Sequence, residues 1–287
     1  MERLSDLYQR LGRNDPSLTM VNLNYCGIGD VGATELAFSL RKNSQVVVLF
    51  LDGNEIGSKG AKELAYGIAN HPTLEFLYLA HNNLGDVGAA ALGAALRTNR
   101  RLQVLKLSYC EIGTRGAKAL SEGLKANNTL QRLDLEENQL ANMGCRCFAE
   151  ALLRNTGLRV LDLRCNDMSP SIQDYFTTAL TAENRALRCL MFWDDECPSR
   201  SDGLDKDPEL ALYLHLNRLG RRDFGSSSVC ASAWTRVLAR AGKEDPSALW
   251  LTLRARPDLL TTAFDEGKCS TSSEESRTLK KPRTGSL

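Results

Sequence analysis

The residues most suggestive of chemistry are three glycines. Gly27, Gly29 and Gly32 spell G-x-G-x-x-G between a strand-like and a helix-like segment, and Asp52 falls twenty residues after Gly32. In a dinucleotide-binding unit such glycines let a pyrophosphate approach the backbone at a helix N-terminus while the acid holds the ribose. The rest of the chain argues against that use. Gly57 with Gly60, Gly85 with Gly88, and Gly113 with Gly116 repeat the last two glycines in the same register. The turn therefore reads as one rung of a ladder, and no cofactor is expected.

Other motifs fare no better. Asp223, Phe224 and Gly225 spell a kinase metal-binding triplet, but neither the His-Arg-Asp loop nor the Val-Ala-Ile-Lys strand accompanies it. Cys145 and Cys147 stand two apart at a predicted helix start, where they do not share a face. No other Cys or His pair has ligand spacing, so no metal is expected. Of three histidines, His71 falls in a loop and His215 in the C-terminal region, leaving His81 to reach the inner surface. Its neighbour Cys110 is expected to point into the core and cannot serve as a nucleophile. No serine, histidine and acid arrangement is discernible, and the chain is expected to be non-catalytic.

The elements that must position these residues repeat with a fixed period. Leu18, Val46, Leu74, Leu102, Leu130 and Leu158 each open a similar segment, 28 residues apart. Within a unit, Leu74, Leu77, Leu79 and Asn82 or Leu130, Leu133, Leu135 and Asn138 alternate with period two, which predicts a strand. Gly88, Ala89, Leu92 and Leu96 then follow at helical spacing. Each unit is one strand and one helix, and stacking neighbours is what buries its apolar faces.

This pattern resembles the leucine-rich repeats, and the 28-residue period with a Gly-Ala-x-x-Leu helix resembles their ribonuclease-inhibitor-like class. The resemblance implies an α/β solenoid, a curved horseshoe with parallel strands inside and helices outside. Strands stack about 4.8 Å apart whereas helices need about 10 Å, which bends the stack toward the strands. The row Cys26, Asn54, Asn82, Cys110, Asn138 and Asn166 is expected to point inward and satisfy backbone groups of neighbouring turns.

Domain boundaries follow from where the register starts and fails. Residues 1–17 are expected to form an N-terminal capping helix through Leu4, Leu7, Tyr8 and Leu11, and residues 18–193 the repeats. The final unit slips to 29 residues, Leu158 to Leu187, and Ile172 takes the place of the helix-opening glycine. A polar connector is expected over 194–208, a helical cap or appended helical domain over 209–266, and a disordered tail over 267–287.

Composition narrows the function. Among 287 residues, 36 basic side chains face 35 acidic ones, for a net charge of +1. Neither a nucleic acid nor a membrane is an expected partner on that field. Apolar residues are 43% and charged residues 25%, a composition that folds in water. Nine cysteines and a charged start argue for a reduced protein, cytoplasmic or nuclear, and no stretch approaches the roughly 18 apolar residues of a membrane helix.

Function is then expected on the concave sheet, where residues between the core leucines face outward. The candidate protein-binding residues are Tyr25, Phe50, Asp52, Phe76, Tyr78, His81, Tyr109, Asp134, Glu136, Glu137, Asp162 and Trp193. Aromatic residues gather in the early units and acids in the late ones. The reading is a non-catalytic scaffold whose aromatic residues anchor a protein partner while its acids meet a basic patch. The alternative is a GTPase regulator, from similarity of the same repeat class to Ran GTPase-activating proteins; the mixed-charge tail here departs from their acidic one.

Overall fold

The computed structural model describes residues 4–182 and 184–192. A first helix, α1 (Leu4–Gly12), precedes a regular alternation: β1 (Met20–Asn22), α2 (Gly29–Leu40), β2 (Val48–Phe50), α3 (Ser58–Ile68), β3 (Phe76–Tyr78), α4 (Gly85–Leu96), β4 (Val104–Lys106), α5 (Thr114–Lys125), β5 (Arg132–Asp134), α6 (Ala141–Leu152), β6 (Val160–Asp162), α7 (Ile172–Ala182) and β7 (Cys189–Met191). The seven strands form one parallel sheet in sequence order. Leu49 pairs with Leu77 and Leu77 with Leu105, so register equals repeat length. The longer last unit is absorbed in its helix and loops, because Leu161 still faces Leu190. The expected connector, helical region and tail lie outside the described residues.

The core lies between sheet and helices. Leu49, Leu77, Leu105 and Leu133 from the strands meet Leu64, Leu92, Leu120 and Phe148 from the helices, all at most 1% exposed. At the start of the stack, α1 lies against α2 with Tyr8 and Leu11 buried, which covers apolar surface that the first repeat would otherwise expose.

Two amide ladders bind the turns together. Asn54, Asn82, Asn138 and Asn166 are buried at the end of their strands. Asn138 is typical: its Oδ1 accepts from the Cys110 and Ile112 N–H groups of the previous turn, and its Nδ2 donates to the Leu107 carbonyl at 2.8 Å. Cys110 joins the row through its thiol, which donates to the Leu79 carbonyl at 3.2 Å. Cys26 holds the same place, its thiol donating to the Asn24 carbonyl as that of Cys110 does to Ser108, both at 3.4 Å, but it is exposed because among the described residues no strand precedes its own. The second ladder, Asn43, Asn99, Asn127, Asn155 and Asn184, sits on the opposite side of each repeat, between helix and next strand. Asn127, for example, accepts from Leu130 N–H and donates to the Leu96 carbonyl, both at 2.8 Å.

Side chains also link consecutive helices. Asp86, in the first turn of α4, accepts from the Gly113 and Gly116 N–H groups at the start of α5, at 2.8 and 2.7 Å. Asp30 does the same for α3 through Gly57 and Gly60. The intervening repeats carry Ser58 and Thr114 there. The array therefore alternates two kinds of turn. In the first kind the chain enters the helix through a left-handed glycine, Gly29 or Gly85, at φ +55° and +59°. The glycine cluster that resembled a nucleotide loop is this entry turn.

Candidate functional site

Period-two alternation leaves one face of each strand outside the core. Met20 and Asn22 are exposed around a buried Val21, and the next three strands repeat the pattern with half-buried outer residues. Phe50 and Tyr78, paired in register on β2 and β3, stack with ring centroids 4.7 Å apart and planes 21° off parallel. Val48, Phe76 and Val104 form the adjacent row. Each aromatic thus presents part of its ring to solvent and the rest to a neighbouring rung.

A second row of side chains stands at the end of the strands. Tyr25, Gly53, His81, Tyr109, Glu137 and Cys165 all take left-handed backbone, with φ between +52° and +65°. This conformation costs a non-glycine residue roughly 1–2 kcal/mol, and it turns the side chain from the sheet toward the rim. Tyr25 is 73% exposed, and its ring lies where a Cβ on Gly53 would have to be. His81 and Tyr109 stack at 4.3 Å and 16°. The aromatic candidates form two neighbouring groups, Phe50 and Tyr78 with Phe76 in the adjacent row on the sheet, and Tyr25, His81 and Tyr109 along its rim. Trp193 lies outside the described residues.

The acids behave differently from their expected part. Asp134 is 5% exposed and Asp162 is fully buried. The Arg164 guanidinium donates to Asp162 through Nε and Nη2, at 3.0 and 2.8 Å, and through Nη2 to Glu136 at 3.0 Å. Asp162 is the main reason the Arg164 pKa rises above its usual value, against some desolvation. Burial, and then the nearby Asp162 charge, pushes the Asp134 carboxyl up. Carboxylate oxygens of Asp134, Glu136 and Asp162 lie within 4.8 Å of one another, a set able to hold a metal ion. In this protein Arg164 already supplies a cation there. The long Arg side chain covers Asp162, which strand alternation alone would place in solvent. Asp52 is likewise engaged, accepting from Ala80 N–H at 2.7 Å.

The displayed acids are Glu137, at the rim, and Glu111 and Asp167, which the strand-based reading missed. With Tyr109, Gln139 and Cys165 they line an open groove of about 600 Å³. Glu111 and Asp167 share a register position with Glu55, each two residues beyond a rim position (Gly53, Tyr109, Cys165), and that spacing was the available signal. His71, set aside as a loop residue, belongs to the second ladder: its Nδ1 accepts from Thr73 and Leu74 N–H. Cys110 is buried, and burial pushes its thiol up to about 12. Among the described residues no helix is long and apolar enough to cross a membrane.

Comparison with known proteins adds the following. The family described as Leucine Rich repeat matches residues 14–37, 42–65, 70–93, 98–121, 126–149 and 154–172. The structure of leiomodin-1 actin-binding site 2 aligns at 18% identity over 78% of this chain and 96% of that one, with TM-score 0.34. The tropomodulin C-terminal domain of Caenorhabditis elegans aligns at 13% identity over 76% and 95%, with TM-score 0.40. No curated protein matches the sequence.

Proposed function

From the premise that this chain is a leucine-rich repeat protein, a protein-interaction module, we propose that it is a non-catalytic scaffold gripping one protein partner on its inner face. The observation that carries this reading is the pair of aromatic stacks, Phe50 with Tyr78 and His81 with Tyr109, at the surface of one parallel sheet. Aromatic rings held rigid by stacking lose little conformational freedom on binding, and such rings dominate interface energy. Phe50, Phe76, Tyr78 and Tyr109 act as the anchors, with Tyr25 and His81 beside them. Glu111, Glu137 and Asp167 supply the negative rim that draws in a basic patch of the partner. Glu136 and Asp162 hold that end of the sheet together through Arg164.

A photo-crosslinking amino acid tests the reading when placed at Tyr25 on the inner rim and, in a second protein, at Tyr175 on α7 of the helical side. The expected result in native extract is one protein adduct formed from position 25 and lost in Phe76→Ala/Tyr78→Ala. The same adduct formed equally from position 175, or kept in the double variant, would sink the proposal.

A further inference from the structure

We propose that the outward face of α4 is a second docking surface, and that it takes an acidic amphipathic helix of another protein. The proposal is independent of the inner-face reading. The inward side of α4 buries Ala89, Leu92 and Leu96 in the core. Its outward side is apolar as well: Val87 is 63% exposed, Ala90 and Ala94 are exposed, and Ala91 is half-buried. A helix apolar all round is ordinarily enclosed by protein. Here only one side is enclosed within the described residues.

The flanks say what covers the other side. Lys59 and Lys62 on α3 and Arg115 and Lys118 on α5 are exposed beside it. Among the described residues none of these four makes an ion pair. The exposed acids of the same two helices are already engaged, Glu63 with Arg41 at 3.0 Å and Glu122 with Lys125 at 2.7 Å. Two walls rich in exposed positive charge therefore border an uncharged floor at Val87 and Ala90, with Tyr66 and Glu122 level with Ala94 at its far end.

The floor is also built of short side chains, and α4 lies close to α5. Gly93 of α4 and Gly123 of α5 approach so closely that a Cβ on Gly123 would collide with the Gly93 carbonyl oxygen. Alanines on α4 then stand lower than the long cations on either side. A helix with small or aliphatic residues on one stripe can descend to an interaxial distance of about 8–10 Å. Its Glu or Asp residues on both flanks then reach the walls. A flat anionic bilayer would meet the ends of the cations before it reached the alanines, so a helix fits the floor better than a lipid surface does.

The test uses the full-length chain and a fluorescein-labelled synthetic helix of about twenty residues, with Ala and Leu on one face and Glu elsewhere. Fluorescence anisotropy is expected to show saturable binding. That binding should weaken by about tenfold or more in Ala90→Glu/Ala94→Glu and in Lys59→Glu/Lys118→Glu, and should fall with added salt. All four positions are exposed, so the variants should keep the parent circular dichroism. Phe76→Ala/Tyr78→Ala should bind the peptide as the parent does, which separates this surface from the inner face. Absence of binding, equal binding of a peptide with Lys in place of Glu, or indifference to the α4 variants would overturn the proposal. Co-sedimentation with phosphatidylserine vesicles that Ala90→Glu/Ala94→Glu abolishes would overturn it too, by assigning the face to lipid.

Discussion

His71 accepts the Leu74 backbone N–H on Nδ1 at 3.1 Å, standing where Asn99 offers its amide oxygen to Leu102 one repeat later. Asn99 also donates to the Ile68 carbonyl at 2.7 Å, whereas among the described residues the buried Nε2 of His71 has no partner. Replacing His71 by Asn should complete the ladder, with the new amide donating to the Leu40 carbonyl. A gain of about 1 kcal/mol at pH 7 is expected in urea denaturation. Burial also lowers the imidazole pKa from 6.5 to about 4. The unfolded chain therefore takes up the proton first, and this stability is complete above about pH 6.5 and is lost as pH falls toward 4. Between pH 7 and pH 5 the parent should lose about 2 kcal/mol more than His71→Asn. Parallel pH profiles for the two proteins would show that His71 is not buried in its neutral form.

Asp86→Ala should destabilise the array by about 1–2 kcal/mol, since it strips one acceptor from two N–H groups at the start of α5. Asp86→Asn keeps an oxygen there and should recover most of the loss. Thermal unfolding of the three proteins decides it: equal midpoints would mean that water replaces the carboxylate without cost.

Removing Arg164 should cost far more than removing a surface cation. Arg164→Met leaves the buried Asp162 without its countercharge beside Glu136 and Asp134, and breaking a buried pair this way costs about 3–5 kcal/mol. The sign of its pH dependence is distinctive. Burial and the Asp162 charge already raise the Asp134 carboxyl, and losing the guanidinium raises it further, so acidification should favour the folded variant relative to the parent. The gap between parent and variant is then widest near pH 7 and narrows toward pH 5. Chemical denaturation at both values measures it, and a gap independent of pH would show that packing, not charge, is what Arg164 supplies.

The sequence was most legible where structure depends on the chain's own period. The 28-residue spacing and the alternation in Leu77, Leu79 and Asn82 sufficed for strands, helices, core and the first amide ladder. What depends on a neighbouring rung was harder to read. Cys26 occupies a ladder position but faces solvent because the stack begins there. Asp162 occupies an outward position but is covered by Arg164, two residues beyond it, and Asp134 beside it is buried as well. The second ladder kept the same spacing, yet His71 interrupts it, and imidazole is not an obvious substitute for a carboxamide. The Asp30 and Asp86 links recur every second repeat, a period that a search tuned to single units passes over.

The burial of those acids changes how the inner face should be dissected. Lys at Asp162 would place a cation against Arg164 in a buried site and unfold the end of the array, so any lost binding would be uninformative. Glu111, Glu137 and Asp167 are exposed and line one groove. Glu111→Lys/Glu137→Lys/Asp167→Lys should leave the fold intact. Such rim charges act mainly by steering, so the triple variant should associate with the partner about tenfold or more slowly at low salt and lose most of its salt dependence, while dissociation changes little. Phe76→Ala/Tyr78→Ala should do the reverse, because desolvated anchors hold the complex once formed: near-normal association, and dissociation faster by about two orders of magnitude. Surface plasmon resonance on the crosslinked partner, once purified, reads both rates from one trace. If the triple variant dissociates faster while the double variant associates more slowly, the roles assigned to rim and rings are the wrong way round.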